Sequence, residues 1–219
     1  MEIVQVEVGL LQNFSTLIAA GRECAIVDPA FEVDRLLTVV RERGWTVRSV
    51  LVTHSHHDHI DGVAELCAAT SALVYVGAGE LERLRAAAPA AMVQPIADGE
   101  AIPLGEHRIV ALATPGHTVD GRSYFTGNAI LTGDTLFVGG CGRTDFPGGD
   151  APTLWRSLQR IASLPEETRV YPGHDYGATP TSTVGWEGTH NPYLLCRSES
   201  EFVALRTGKS PPRPTRGFR

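Results

Sequence analysis

The hydrophobic positions of this chain change period several times, and each change marks an element. Residues 2–8 alternate polar and apolar side chains, the period of two expected of a half-buried strand. Residues 24–27 form a short apolar run closed by Asp28-Pro29, a turn signal. Residues 32–43 then set Val33, Leu36, Leu37 and Val40 at helical spacing, with Gly44 as the stop. Residues 48–53 (RSVLVT) predict a buried strand, 62–70 a helix and 73–76 another strand. This rhythm predicts sheet covered by helices, an α/β chain.

Farther along, Gly, Pro and Asn separate four short predicted strands at 102–104, 108–112, 123–126 and 129–132. An amphipathic helix is predicted over 154–164 after a Gly/Pro-rich loop, then a strand at 169–171 and a last helix at 200–206. No repeat or linker divides the chain. It is therefore read as one domain over residues 1–206, followed by a basic, proline-rich tail at 207–219 that frays.

Composition narrows the function. The 219 residues, 42% hydrophobic and 20% charged, suffice for one substantial core and are short for two. No apolar run approaches the roughly 20 residues that cross a bilayer, and the first residues lack the basic-then-apolar pattern of a targeting peptide. A net charge of −6 disfavours nucleic acid as a partner. Cys24, Cys67, Cys141 and Cys196 are scattered without a CxxC pair, which argues for a reducing cytoplasm rather than a disulfide framework or a zinc ribbon. The expectation is a cytoplasmic protein acting on a small molecule, with neither membrane nor nucleic acid as partner; the oligomeric state is not set by these features.

Histidine changes this picture. Four of the eight histidines fall within His54-Ser55-His56-His57-Asp58-His59, directly after a predicted buried strand and before a predicted helix. In extended chain His54 and His56 project to one side, and the turn into the helix brings Asp58 and His59 back toward the same space. Imidazoles and a carboxylate on one loop suit zinc, iron or manganese; the alternative is a solvated polar turn. His117 in Thr114-Pro115-Gly116-His117-Thr118, Asp134 in Thr132-Gly133-Asp134-Thr135 and His174 in Tyr171-Pro172-Gly173-His174-Asp175-Tyr176 each follow a predicted strand. Strand ends are where open α/β sheets gather ligands, so a shared site is the better reading. His57 lies on the other side by the same alternation, and His107 and His190 are read as surface or structural histidines.

In this order the motifs resemble those of the metallo-β-lactamase superfamily, over most of the chain to about Pro192. The resemblance implies a four-layer αββα sandwich with metals in a cleft at one edge of two sheets. It implies His54, His56 and His117 at one metal, Asp58, His59 and His174 at a second, and Asp134 bridging. Two divalent metals, zinc first, would then provide a hydroxide near neutral pH, with Asp58 orienting it or taking its proton. An aspartate at 134, where zinc β-lactamases resemble one another in using cysteine, disfavours antibiotic hydrolysis.

Gly140-Cys141-Gly142-Arg143-Thr144-Asp145-Phe146 and Gly173-His174-Asp175-Tyr176 resemble motifs of the small, single-domain glyoxalase II-like hydrolases and of the persulfide dioxygenases. Both groups act on glutathione derivatives, and the resemblance implies Arg143 and Tyr176 as substrate contacts; for Arg143 a role in tying down the Gly-rich loop stands beside this. Pro147-Gly148-Gly149-Asp150 is similar to the hydrolases, whereas the aspartate of Gly173-His174-Asp175-Tyr176 is the dioxygenase spelling. The sequence departs from both at Gly121-Arg122 and at Trp186-Glu187-Gly188. The leading expectation is hydroxyacylglutathione-type thioester hydrolysis. The second is persulfide dioxygenation at a single ferrous ion held by His54, His117 and Asp134. Full-length glyoxalase II carries a further helical domain, and only about 27 residues follow Pro192 here, so a looser grip on glutathione is expected.

Overall fold

The computed structural model describes residues 1–89 and 92–208. Its first sheet runs in the order β1 (Glu2–Val8), β2 (Asn13–Ala20), β3 (Glu23–Val27), β4 (Thr46–Leu51), β5 (Leu73–Val76) and β6 (Val93–Pro95). The first three strands pair antiparallel and the rest parallel. The second sheet contains β7 (Ala101–Leu104), β8 (His107–Ala113), β9 (Arg122–Phe125) and β10 (Ala129–Gly133). A small hairpin of β11 (Leu136–Phe137) and β12 (Gly140–Cys141) follows, and β13 (Arg169–Pro172) and β14 (Ser182–Thr183) complete the second sheet in the order β14-β13-β10-β9-β8-β7. The helices are α1 (Val33–Arg43), α2 (His57–Ile60), α3 (Val63–Thr70), α4 (Leu81–Ala87), α5 (Ala151–Ala162), α6 (Val184–His190) and α7 (Glu199–Arg206). Among the described residues no helix is long and apolar enough to cross a membrane.

Strand alternation sorts the core into three slabs, which is the signature of four layers. Leu17, Cys24, Ile26 and Val50 face α1, α3 and α4 with Leu36, Leu66 and Leu84. Their neighbours Ile18, Ala25, Val27 and Leu51 turn the other way and meet Ile109, Tyr124 and Leu131 between the sheets. Ile130 and Val170 point outward again, onto Leu154, Leu158, Ile161 and Phe202 of the second helical layer. The expected αββα sandwich is what the chain forms. Tyr124 pins the sheets together: its ring is fully buried between them and its hydroxyl donates to the Val52 carbonyl at 2.9 Å.

Several elements depart from the pattern-based reading. Strand β2 is buried on every residue, so Asn13-Phe14-Ser15-Thr16-Leu17-Ile18-Ala19-Ala20 carries no one-sided alternation to detect. Helix α5 starts at Ala151 rather than 154, because Asp150 caps it: its carboxylate accepts from the Thr153 amide at 2.9 Å. Helix α6, with glycines at 185 and 188, has no apolar stripe; it forms on the Thr183 cap and on buried Glu187. Helix α4 and strand β6 also went unpredicted. Beyond Gly208 the tail lies outside the described residues.

Candidate metal centre

Four loops meet at one edge of the sandwich. Strand β4 runs on through Thr53 into extended His54, Ser55 and His56, and α2 begins at His57, so a single turn swings Asp58 and His59 inward. The chain after β8 delivers His117, β10 ends one residue before Asp134, and β13 ends two residues before His174. The two sheets are joined here by the Phe14 amide donating to Gly173 carbonyl at 2.8 Å and the Arg122 amide donating to Thr53 carbonyl at 2.7 Å.

All seven residues singled out in the sequence come together. His54 Nε2 lies 3.0 Å from His56 Nδ1, which lies 3.1 Å from His117 Nε2. On the other side His59 Nε2 and His174 Nε2 are 3.2 Å apart, with Asp58 Oδ2 at 3.8 Å and 3.5 Å from them. Asp134 lies between the two groups. Its Oδ2 is 3.6 Å from His117 Nε2, while its Oδ1 is 3.3 Å from His59 Nε2 and 3.5 Å from His174 Nε2. His57 stays out, its side chain 77% exposed. His107 is exposed, and His190 stacks on Trp186 away from the cluster.

The far ring nitrogens decide what the near ones can do. His117 Nδ1 donates to the Arg143 carbonyl at 2.7 Å and His174 Nδ1 to the Leu11 carbonyl at 2.9 Å. A carbonyl only accepts, so in the neutral rings each Nε2 points a lone pair into the cluster. His59 Nδ1 is held by Asp28 Oδ2 at 3.0 Å. Lone pairs 3 Å apart repel unless a positive charge lies between them. The Asp134 Oδ1 atom is buried and accepts no hydrogen bond, which deepens the demand for a cation. Imidazole nitrogens and carboxylate oxygens in two groups of three, His54/His56/His117 and Asp58/His59/His174, make a donor set that fits zinc, iron or manganese.

The cluster forms the floor of a cavity of about 680 Å³. Arg143 and Tyr176 both line it. Tyr176 stacks on His174, ring centroids 4.6 Å apart and planes within 9°, and meets Phe137 edge-on at 5.3 Å. Arg143 forks onto Asp145 with two contacts of 2.6 Å and lies 4.1 Å over the Phe146 ring, while its carbonyl holds His117. The loop-fastening role of Arg143 is thus visible alongside its place in the cavity wall.

A family model for the metallo-beta-lactamase superfamily matches residues 8–174. The chain belongs to that superfamily. It is 34% identical over 191 residues to the probable polyketide biosynthesis zinc-dependent hydrolase PksB of Bacillus subtilis, covering 87% of this chain and 84% of that protein. It is 34% identical over 210 residues to the hydroxyacylglutathione hydrolase of Roseobacter denitrificans, covering 94% and 79%. Among solved structures, ETHE1 from Myxococcus xanthus superposes with a TM-score of 0.86 at 37% identity, covering 98% of this chain and 93% of that one.

Three residues of this superfamily member escaped the sequence reading. Asp28, taken only as part of a turn signal, sits at φ +47°, buried; its carboxylate accepts from the Thr53 amide, the Thr53 hydroxyl and His59 Nδ1 at 2.7, 2.6 and 3.0 Å. It thereby sets both the ring plane and the tautomer of His59. Asn13 donates to the Asp58 carbonyl at 2.9 Å and to its Oδ2 at 3.1 Å. Glu80, 4% exposed, receives the Ser55 hydroxyl and so backs the loop between His54 and His56. Their partners lie 25 to 45 residues away along the chain.

Electrostatics divides the imidazoles. Burial, helped by repulsion from His59, drives His54 well below the ordinary histidine value, and burial with repulsion from His117 lowers His56 to about 4. Burial also opposes charge on His59, yet Asp134 and Asp28 outweigh it and hold His59 well above. Asp134 resists protonation in turn, since the surrounding imidazoles outweigh its burial. In the metal-free protein Asp134 and Asp28 therefore favour a proton on His59. A cation that takes the His59 lone pair must displace that proton, so affinity rises with pH while His59 titrates. Calorimetric zinc titrations in buffers of different ionisation enthalpy are expected to show net release of protons on binding. Heats independent of the buffer would contradict the assignment.

Proposed function

We propose that the protein is a metal-dependent thioester hydrolase of the hydroxyacylglutathione kind. In this reading His54, His56 and His117 hold one divalent cation, Asp58, His59 and His174 hold a second, and Asp134 serves both. Zinc is the expected metal, and iron or manganese suit the same donors. The observation that carries the reading is Asp134, whose two oxygens face different histidine groups while one of them has no hydrogen-bond donor. Cations bound there would supply a deprotonated water at neutral pH and would stabilise charge on the thioester carbonyl oxygen.

The protein's own groups do the rest. Asp58, held at its Oδ2 by Asn13, orients the attacking water and takes its proton. Opposing influences act on it: burial raises its pKa, but His59 and the Asn13 hydrogen bond prevail and keep it ionised. Arg143 and Tyr176 line the space open to the thiol carrier, a glutathione derivative by the similarity to a hydroxyacylglutathione hydrolase. Thiolate departs readily, so no side chain is needed to protonate it. The four cysteines, all buried, keep their reduced form in the cytoplasm where we place this activity.

A second reading, persulfide dioxygenation at one ferrous ion on His54, His117 and Asp134, is favoured by the sequence Gly173-His174-Asp175-Tyr176. Metal analysis of the purified protein, followed by assays with S-lactoylglutathione and with glutathione persulfide, separates the two. The expected result is two equivalents of metal, thioester cleavage and no oxygen uptake. One equivalent of iron with oxygen uptake on the persulfide, and no thioester cleavage, would overturn the hydrolase reading.

A further inference from the structure

The chain is acidic, yet the wall of its main cavity is not. Among the described residues, that cavity is lined above the histidine floor by three arginines, Arg83, Arg143 and Arg206, and its only carboxylates are Asp58 and Asp134, both in the metal cluster. Once cations neutralise those two carboxylates, the cavity presents positive charge alone. The three arginines differ in what already holds them. Arg143 is forked onto Asp145. Arg206 donates to the Tyr193 hydroxyl at 3.2 Å and lies over its ring.

Arg83 is different. It projects from α4, is exposed, and has no hydrogen-bond or ion-pair partner among the described residues. It also lines two smaller cavities, of about 460 and 360 Å³, which adjoin the main one at His56. Glu82 and Asp61 line those side cavities, and neither pairs with Arg83. The nearby Glu80 is unable to compete, since its carboxylate is turned inward to Ser55 and the Asp120 amide. An unpaired guanidinium beside the metal cluster, with its fork of donors uncommitted, is suited to a carboxylate or a phosphate.

We propose that Arg83 is a specificity-determining residue that pairs with an anionic group on the substrate's thiol carrier, so that the cavity selects anionic over neutral thiols. The inference rests on the thiol-carrier reading above, but its test does not need turnover. The probes are three free thiols bound to the zinc-loaded protein, measured by calorimetry: glutathione, which carries carboxylates; coenzyme A, which carries phosphates; and N-acetylcysteamine, which is uncharged. Sulfur–metal contact is common to all three and cancels in the comparison. Wild-type protein is expected to bind one of the anionic thiols more tightly than the neutral one, and which one identifies the anion.

Arg83→Gln should weaken that binding roughly tenfold, and Arg83→Glu by more, with N-acetylcysteamine unaffected. Arg83 is exposed and holds no hydrogen bond or ion pair among the described residues, so both variants are expected to keep their metal content and folding. Equal binding of charged and neutral thiols by the wild type, or an Arg83→Gln variant that keeps the wild-type preference, would overturn the inference. The hydrolase reading is judged separately, by cleavage of an N-acetylcysteamine thioester, which lacks the anionic group.

Discussion

Asp134→Ala is expected to strip the protein of metal and to lower turnover of any thioester at least about 10³-fold. The size follows from its position. Its oxygens approach His117 on one side and His59 and His174 on the other, so one substitution removes a donor from both groups. The other carboxylate of the floor, Asp58, lies beside His59 and His174 and is held by Asn13, and the far nitrogens of His59, His117 and His174 are already engaged. The space is also tightly enclosed: a Cβ on Gly173 would come within 2.6 Å of Asp134 Oδ1, so that glycine is required for the carboxylate to lie where it does. Asp134→Asn probes charge with shape retained, and its amide nitrogen can only donate toward nitrogens that offer no acceptor to spare once metal is bound. Metal content by elemental analysis and thioester turnover test this together. An alanine variant that still holds two equivalents would remove Asp134 from the centre.

Gly116→Ala is expected to cost about 3 kcal/mol or more of stability, roughly 6–12 °C in Tm for a chain of this size. Gly116 has φ +123°, a conformation open to glycine and strained for alanine. Space is short as well. A Cβ there would lie 2.2 Å from the Leu154 amide nitrogen and 2.4 Å from its Cα, which is helix backbone and has no rotamer to move away. The turn is docked on the start of α5 by the Asp150 amide donating to Gly116 carbonyl at 2.8 Å and the Ser157 hydroxyl donating to Pro115 carbonyl at 2.6 Å. His117 is therefore placed by a helix of the second layer. Weaker metal binding should accompany the lower stability. Urea unfolding of the metal-free protein with unchanged midpoint would show that the turn yields more freely than its packing indicates.

Much of this architecture was legible in the residues. The period-two run at 2–8, the short apolar run at 24–27, the helical spacing of Val33, Leu36, Leu37 and Val40, and the strand ends before His54, Asp134 and His174 all reappear in the fold. Strand β2 escaped because both its faces are buried, and α6 because capping and one buried glutamate, rather than an apolar stripe, hold it. The histidine cluster stood out because its residues are close in sequence and share a chemistry.

By itself, then, the sequence determined the donor types, their order along the chain and the strand-to-loop contexts that deliver them, since these depend on local periodicity and turn chemistry. Only the tertiary structure decided which lone pairs face inward, that Asp28 orients His59, that Asn13 holds Asp58, and that Arg143 is engaged while Arg83 is not. Those facts depend on contacts between segments tens of residues apart, brought together by packing two sheets against each other. No local pattern encodes a partner that only the packing of the two sheets brings within hydrogen-bonding distance.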